Sequence, residues 1–466
     1  MAYKSVNPFD GTVLKTFDDI TDGALEAAVA QAQHCYVNQW STKPIAQRAD
    51  VLKRAATVMR ERTDELARYV TLEMGKLWNE AKGEVKLSAD ILEYYAKHGA
   101  EFLAPQHLTV DEGEAIVESD PIGIVFAVEP WNFPYYQLAR VAGPSLILGN
   151  VVLVKHASNV PQCAEAFERV MKDAGAPKGV YTNLFATKEQ ITRVIADPRI
   201  KAVALTGSEA AGSIVAVQAG KSLKKSTMEL GGSDAFIVLE DADLDRAVSW
   251  AVWGRMNNTG QCCIAAKRFI VVEKIADEFL RRFKASLQQL NPGDPLDSKT
   301  TLGPLSSEGA LADLLKQVDV AVGAGAKVTL GGKRLDRAGA FIQPIILSDI
   351  APSNPAYYQE FFGPVALFFR VKGEEEAIAL ANDSPFGLGG SVFTRDIERG
   401  KRVARRVATG MVFINQATWT SPELPFGGIK NSGYGRELSE LGMQEFVNKK
   451  LIRVSGSMPA REFPVA

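Results

Sequence analysis

Residues Pro121 to Val160 read PIGIVFAVEPWNFPYYQLARVAGPSLILGNVVLVKHASNV. Two short apolar runs, Ile122–Val128 and Val151–Lys155, are dominated by β-branched and aliphatic residues, and a helical stretch, Pro134–Leu148, lies between them. A strand, a crossover helix and a second strand in this order build a parallel sheet buried on both faces. The rhythm continues downstream. A helix is predicted over Val160–Ala174, a strand over Val180–Phe185, a helix over Lys188–Ala196, a strand over Lys201–Thr206 and a helix over Glu209–Ala219. This is the pattern of a doubly wound α/β region that binds a nucleotide at the ends of its strands.

Working outward, a second βα series begins near Asp234–Leu239 and includes strands at Arg268–Val272 and Val365–Arg370, with a helix over Ile275–Leu290. On the N-terminal side, Thr21–Asn38, Ile45–Tyr69 and Lys76–Lys97 read as amphipathic helices. The glycine- and proline-rich stretch Pro422–Gly435 reads as a loop closing over a site. The tail, Phe446–Ala466, contains a strand at Lys450–Val454 with no obvious partner, which suggests a subunit interface.

At 466 residues the chain calls for about two or three domains of ~150 residues each. Its net charge of −2 offers no basic excess for nucleic acid. No signal-like or membrane-length apolar run is present, so a cytoplasmic protein is expected. Four cysteines are too few for a disulfide framework in a chain this long, and four scattered histidines (His34, His98, His107 and His156) offer no metal-binding spacing, so no metal is expected.

Three segments carry chemistry. In Asn258-Thr259-Gly260-Gln261-Cys262-Cys263, a cysteine follows a glycine that permits a tight turn and close substrate approach. From the pair alone, two cysteines filling a core is an equal reading. In Met228-Glu229-Leu230-Gly231-Gly232, a glutamate among apolar residues suits a base whose pKa burial has raised; a salt-bridged strand-end glutamate is the alternative. In Pro130-Trp131-Asn132-Phe133-Pro134, Asn132 can aim an amide N–H at a developing oxyanion, or the segment is simply a rigid hydrophobic turn.

Together these segments resemble the aldehyde dehydrogenase superfamily, over nearly the whole chain. The landmarks run in order: PWNFP at Pro130–Pro134, VVLVKHAS at Val151–Ser158, LTGS at Leu205–Ser208, MELGG at Met228–Gly232, GQCC at Gly260–Cys263, EFFGPV at Glu360–Val365 and PFGG at Pro425–Gly428. The resemblance implies a three-part α/β fold. A Rossmann-type cofactor domain covers 1–102 and 122–231, a catalytic α/β domain covers 232–445, and a small β oligomerisation element is made of 103–121 and 446–466.

It also implies roles. Cys263, not Cys262, is the nucleophile; Asn132 and the Cys263 backbone N–H form the oxyanion hole; Glu229 activates the hydrolytic water. Lys155 and Glu360 hold the cofactor riboses, Ser208 approaches the pyrophosphate from a helix N-terminus, Phe362 packs near the nicotinamide, and Trp131, Gly207 and Leu230 complete the cofactor site. A small-molecule aldehyde is the expected partner, and the enzyme is expected as a homodimer or homotetramer.

Ser158 stands three residues after Lys155, where NAD-preferring members often carry an acid. A serine there removes repulsion toward a 2′-phosphate, so NADP is the preferred cofactor and NAD is also accepted; a neutral Ser158 that leaves NAD equally good is the alternative. Within the superfamily the resemblance extends to bacterial succinate semialdehyde dehydrogenases. Arg140 and Ser421 match the carboxylate-binding positions of that group, although Arg140 also reads as a helix-surface salt-bridge partner. Asn257 stands where some members place a second arginine. Dehydrogenases of other semialdehydes or of simple aliphatic aldehydes, a CoA-acylating enzyme, and an inactive structural relative are the rival readings. A vicinal Cys262–Cys263 disulfide is disfavoured, since adjacent Cα atoms sit about 3.8 Å apart where disulfides usually want about 4.4–6.8 Å.

Overall fold

The computed structural model describes residues 3–456. Its first large sheet contains, in spatial order, Gly433–Tyr434, Lys225–Glu229, Ile200–Thr206, Ile124–Glu129, Val151–His156 and Tyr181–Asn183. All neighbours are parallel except Gly433–Tyr434, which runs antiparallel to Lys225–Glu229. Ile124–Ala127 and Val151–Val154 are fully shielded from solvent. That explains why these strands are apolar at every position rather than at alternate ones.

The strand order reverses at Ile124–Glu129. The chain crosses outward to Val151–His156 and Tyr181–Asn183, then returns to the other side to lay down Ile200–Thr206. A crevice therefore opens at the C-terminal ends of Ile124–Glu129 and Ile200–Thr206, where the next turns diverge onto opposite faces. The PWNFP turn leaves from one lip of it and Gly207-Ser208 from the other.

A second sheet is ordered Lys327–Leu330, Ile345–Ser348, Val365–Val371, Ala266–Val272, Asp234–Val238, Gly390–Phe393, Phe413–Ile414. It is parallel but for Lys327–Leu330 at one edge. A third, of three antiparallel strands, pairs Val447–Val454 with Glu114–Pro121 along eight residue pairs, and Glu114–Pro121 with Gln106–Leu108. The C-terminal strand thus has a partner on one side. Among the described residues no strand pairs with its outer edge, and Leu451, Ile452 and Val454 are exposed. The last ten residues of the expected tail element, 457–466, lie outside the described residues.

The structure changes some expected elements. The single helix expected over Ile45–Tyr69 is two, Ile45–Glu61 and Thr63–Met74, separated at Arg62 (φ −104°, ψ 25°). The Thr63 hydroxyl donates to the Arg60 carbonyl at 2.7 Å and so competes with the helical ladder at that point. The strand expected over Val180–Phe185 shortens to Tyr181–Asn183, an edge strand paired on one side. The loop expected over Pro422–Gly435 contributes the short strand Gly433–Tyr434 to the first sheet, although it follows the second sheet in sequence.

Two packings set the site. The long helix Trp78–Phe102 crosses Pro134–Leu148 so closely that a Cβ on Gly99 would stand 2.4 Å from Ile147 Cγ1, and one on Gly143 would stand 2.7 Å from Tyr95 Cδ2. His156 sits beneath the PWNFP turn. Its Nδ1 lies 3.1 Å from the Glu129 carbonyl and its Nε2 3.0 Å from the Pro134 carbonyl, bridging the strand end and the turn. Burial drops its pKa to about 4, so this histidine is a neutral structural pin.

Candidate active site

The cysteine loop is built on strained backbone. Asn258, Thr259 and Gly260 have φ of 53°, 54° and 76° in succession, directly after the helix Leu244–Met256. Left-handed geometry costs a residue with a Cβ roughly 1–2 kcal/mol, so something must hold it. Asn258 receives the most support. Its N–H donates to Glu80 Oε1 (3.2 Å), and its amide donates to the carbonyls of Asn132 (2.9 Å) and Gln261 (3.0 Å). Thr259 Oγ1 donates to the Gly303 carbonyl at 3.2 Å. A Cβ on Gly260 would lie 2.5 Å from the Gly363 backbone, so only glycine closes this turn. The loop delivers Cys262 into the core and leaves Cys263 partly accessible. Both thiols are free.

Glu229, at the end of its strand, is buried, and neither carboxyl oxygen meets an N–H or O–H donor among the described residues. Burial raises its pKa to about 8 against the pull of Arg140, and the Cys263 thiol faces it as a weak donor. The Cys263 thiol is in turn pushed up by Cys262, by burial and by the Glu229 charge. A carboxyl poised near 8, with both oxygens open, is suited to taking a proton from a thiol or a water. The two glycines after it allow close approach. A Cβ on Gly231 would meet Glu360 Oε2 at 2.5 Å, and one on Gly232 would meet the Cys263 carbonyl at 2.5 Å.

Asn132 is clamped through its own carbonyl, which accepts from Asn258 Nδ2 and from Lys76 Nζ, both at 2.9 Å. Lys76 is buried and paired with Glu84. Glu84 also takes the Tyr135 and Tyr136 N–H groups at 2.8 and 3.3 Å, capping the Pro134–Leu148 helix. The Asn132 amide thus lies against the cysteine loop, Nδ2 donating to the Gln261 carbonyl at 3.3 Å.

A cavity of about 320 Å³ opens at Cys263, walled by Phe133, Tyr136, Gln137, Trp253, Trp419, Thr420 and Phe426, with no lysine or arginine in its lining. Arg140, expected at the substrate end, lies behind this wall, fully buried, with its guanidinium 4.9 Å from the centroids of both Tyr136 and Phe426. It donates to the Tyr136 hydroxyl (3.3 Å) and Thr206 Oγ1 (2.9 Å), pairs with Glu437 at 2.5 Å and stands 3.6 Å from Glu229. Far from being a helix-surface residue, it is the cation of a buried cluster of carboxylates. Ser421 does not line the cavity itself. The turn closed by Leu424 N–H to the Ser421 carbonyl (3.1 Å) sets Ser421 in a surface groove beside Lys86 and Tyr94 that shares Gly83, Leu87, Trp419 and Thr420 with the cavity. Its neighbour Thr420 faces the cavity, 2.9 Å from the Tyr136 hydroxyl.

On the other side of Cys263 the expected cofactor residues gather around the crevice. Ser208 caps the helix Glu209–Lys221, accepting from Ala211 N–H at 3.3 Å, so the unpaired amides of that first turn face the crevice mouth. Gly207 N–H donates to the Glu229 carbonyl at 2.9 Å, tying the two segments together. Leu230 packs onto the same helix, where a Cβ on Gly212 would strike it at 2.5 Å. Lys155 is largely buried beside Tyr3, its pKa lowered by burial and by Lys188; Ser158 follows in the turn after the strand. Trp131 and Phe362 meet edge to face at 5.8 Å. Glu360 accepts from Gly232 N–H at 3.1 Å. Helix amides for a diphosphate, a lysine and serine at one end, and an aromatic pair and a carboxylate at the other fit a nicotinamide dinucleotide.

A model of the aldehyde dehydrogenase family matches residues 1–452. The chain belongs to the aldehyde dehydrogenase family. It is 50 % identical over 462 residues to a succinate-semialdehyde dehydrogenase [NADP(+)] of Deinococcus radiodurans, covering 99 % of this chain and 96 % of that protein. Among solved structures it resembles that of Gox0499 (TM-score 0.97, 54 % identity, 98 % of this chain and 100 % of that one). It also resembles succinic semialdehyde dehydrogenase from Streptococcus pyogenes in complex with NADP+ (TM-score 0.96, 46 % identity, 98 % and 100 %). These likenesses establish the α/β aldehyde dehydrogenase fold and an aldehyde-oxidising enzyme.

In this aldehyde dehydrogenase, sequence reasoning missed several site residues: Lys76 and Glu84, which hold Asn132; Gln137 and Thr420, which face the cavity; and Lys267. One signal was available. Lys267 and Arg268 are adjacent charges in a strand otherwise apolar on both faces, and buried charges in such a strand must have partners.

Among the described residues there is no group of three or more His, Cys, Asp or Glu side chains arranged to hold a metal, and no helix is long and apolar enough to cross a membrane.

Proposed function

We propose that this enzyme oxidises succinate semialdehyde to succinate with NADP+ through a thioester on Cys263. The observation that carries the reading is the convergence of Cys263, Glu229 and Asn132 at the junction of the aromatic cavity and the crevice. In this scheme Glu229 takes the thiol proton as Cys263 Sγ bonds to the aldehyde carbon. Asn132 Nδ2 and the Cys263 N–H donate to the oxyanion, each commonly worth ~3–4 kcal/mol. Bound NADP+ supplies the two-electron acceptor. Glu229 releases the thiol proton to solvent and then takes a proton from a water that attacks the thioester; as the C–S bond breaks and the acid leaves, that proton returns to the sulfur and regenerates the thiol. A base at this position argues for hydrolysis over transfer to CoA.

The chemistry around Ser158 supports NADP. No acid stands there to repel a 2′-phosphate, and Lys155 and Lys188 supply positive charge nearby. For the substrate, the names of the relatives support a terminal carboxylate, with Arg140 reaching the wall through the Tyr136 hydroxyl at 3.3 Å. The rival, a simple aliphatic aldehyde, is favoured by the aromatic lining. The experiment is a steady-state panel of straight-chain aldehydes with and without a terminal carboxylate, run with each cofactor. A higher kcat/KM for succinate semialdehyde with NADP+ is expected. Equal values for butanal would favour the rival, and comparable NAD and NADP efficiencies would remove the preference.

We also take the three sheets as the cores of a cofactor domain, a catalytic domain and an oligomerisation element. The exposed edge of Val447–Val454 supports a homodimer or homotetramer, in the cytoplasm.

A further inference from the structure

Lys267 lies at the start of the strand Ala266–Val272, its side chain completely shielded from solvent. An ammonium has three protons to place, and this one has three acceptors: the carbonyls of Cys262 (2.8 Å) and Cys263 (2.7 Å), and Glu360 Oε1 (3.0 Å). The same Glu360 oxygen accepts from Gly232 N–H, and a Cβ on Gly232 would collide with the same Cys263 carbonyl. The nucleophile loop, the glycine pair after Glu229 and the Glu360 carboxylate therefore converge on one buried cation. Lys267 follows Cys263 by four positions, whereas Glu360 arrives from nearly a hundred residues further along the chain.

We propose that Lys267 is a positioning residue that locks the backbone of Cys263 to Glu360, so that occupation of Glu360 by cofactor is felt at the nucleophile. The proposal rests on Glu360 as a cofactor-binding carboxylate. The physical argument is one of competition. Ribose hydroxyls that bond to Glu360 draw on the oxygens that now neutralise Lys267. The ammonium then leans more heavily on the two carbonyls beside the thiol, and its charge at Cys263 is less compensated. This buried ammonium, whose charge is also felt by the Asp234 carboxyl on the neighbouring strand, cannot turn to water, so the two contacts are linked rather than independent.

The test uses the full-length enzyme and reads the iodoacetamide alkylation rate of Cys263 without cofactor, in a Cys262→Ala background so that one accessible thiol is followed, Cys35 and Cys163 being fully buried. Lys267→Met removes the cation at similar volume and should slow alkylation about tenfold, the equivalent of one pKa unit. Glu360→Gln leaves the cation unneutralised and should quicken it. A residue that merely fills space would not give opposite signs.

NADP+ binding, followed by protein fluorescence, gives the second readout. Both variants should bind more weakly, and the double variant should be no weaker than the worse single one. In turnover, Lys267→Met should lower kcat and raise KM for NADP+ while leaving KM for the aldehyde within twofold. Unchanged alkylation in both variants, or additive losses in binding, would overturn the proposal. If Lys267→Met fails to fold, the sign of the Glu360→Gln alkylation change alone decides. If Glu360→Gln leaves NADP+ binding untouched yet still quickens alkylation, the reading of Glu360 fails while the Lys267 tie survives.

Discussion

Glu229 becomes charged only when a proton leaves a place from which water is largely excluded, and its pKa of about 8 records that cost. The sign for activity follows. The basic form grows as pH rises through 8, so the hydrolytic step should accelerate from neutral to mildly alkaline pH. Glu229→Gln should abolish that limb and cut turnover by roughly 10²–10⁴-fold. A pH–rate profile with a retained alkaline rise in the variant would assign the base elsewhere. Arg140 bears on the same group. It is the cation that draws the Glu229 pKa down, and it neutralises Glu437, while Glu129 close by is raised well above the usual range by burial. Arg140→Leu should therefore move the alkaline limb to still higher pH. It should also destabilise the fold by about 3–5 kcal/mol, the usual consequence of stripping one partner from a buried ion pair. If Arg140 instead served chiefly as a substrate anchor, the loss would fall on KM for succinate semialdehyde and spare an uncharged aldehyde of equal length.

At the level of elements, the Trp78–Phe102 helix holds both halves of the reaction centre. Glu80 supports the cysteine loop at Asn258, and Glu84, one helical turn further on, caps the helix that follows Asn132 and anchors Lys76. This placement depends on the close crossing with Pro134–Leu148, where Gly143 meets the Tyr95 ring. Gly143→Ala should push the helices apart. An overpacking cost of about 1–3 kcal/mol in denaturant unfolding is expected, with a fall in kcat larger than the change in cofactor affinity, because the shift is transmitted to Asn132. Unaltered stability would mean the Tyr95 ring gives way without moving the backbone.

Across the whole molecule, the third sheet is fastened to the first by Asn150. Its Oδ1 accepts from the N–H groups of Ile122 and Gly123 at 2.7 and 3.0 Å, while its Nδ2 donates to the Phe446 carbonyl at 2.8 Å. The C-terminal strand is therefore held to the body of the chain at its base, and its outer edge meets no other strand among the described residues, with Leu451, Ile452 and Val454 exposed. Ile452→Glu, at 40 % exposure, should fold normally yet reduce the mass seen in analytical ultracentrifugation. An unchanged mass would place the subunit contact on another surface.

Much of this was legible in the chain itself. Continuous apolar strands such as Ile124–Ala127, alternating with helices, dictate a doubly covered parallel sheet, because local periodicity reports burial directly. Cys263, Glu229 and Asn132 each sat in a short segment that also admitted a purely structural reading, and it was the ordered set of seven segments, through its family resemblance, that singled them out. What only the tertiary structure decided were the contacts between distant segments. The paired charges of Lys76 with Glu84 and of Lys267 with Glu360, the place of Thr420 on the cavity wall, and the withdrawal of Arg140 behind Tyr136 are of this kind. No pattern in a linear sequence records which buried charge meets which, since such partners are chosen by how sheets and helices stack rather than by their spacing along the chain.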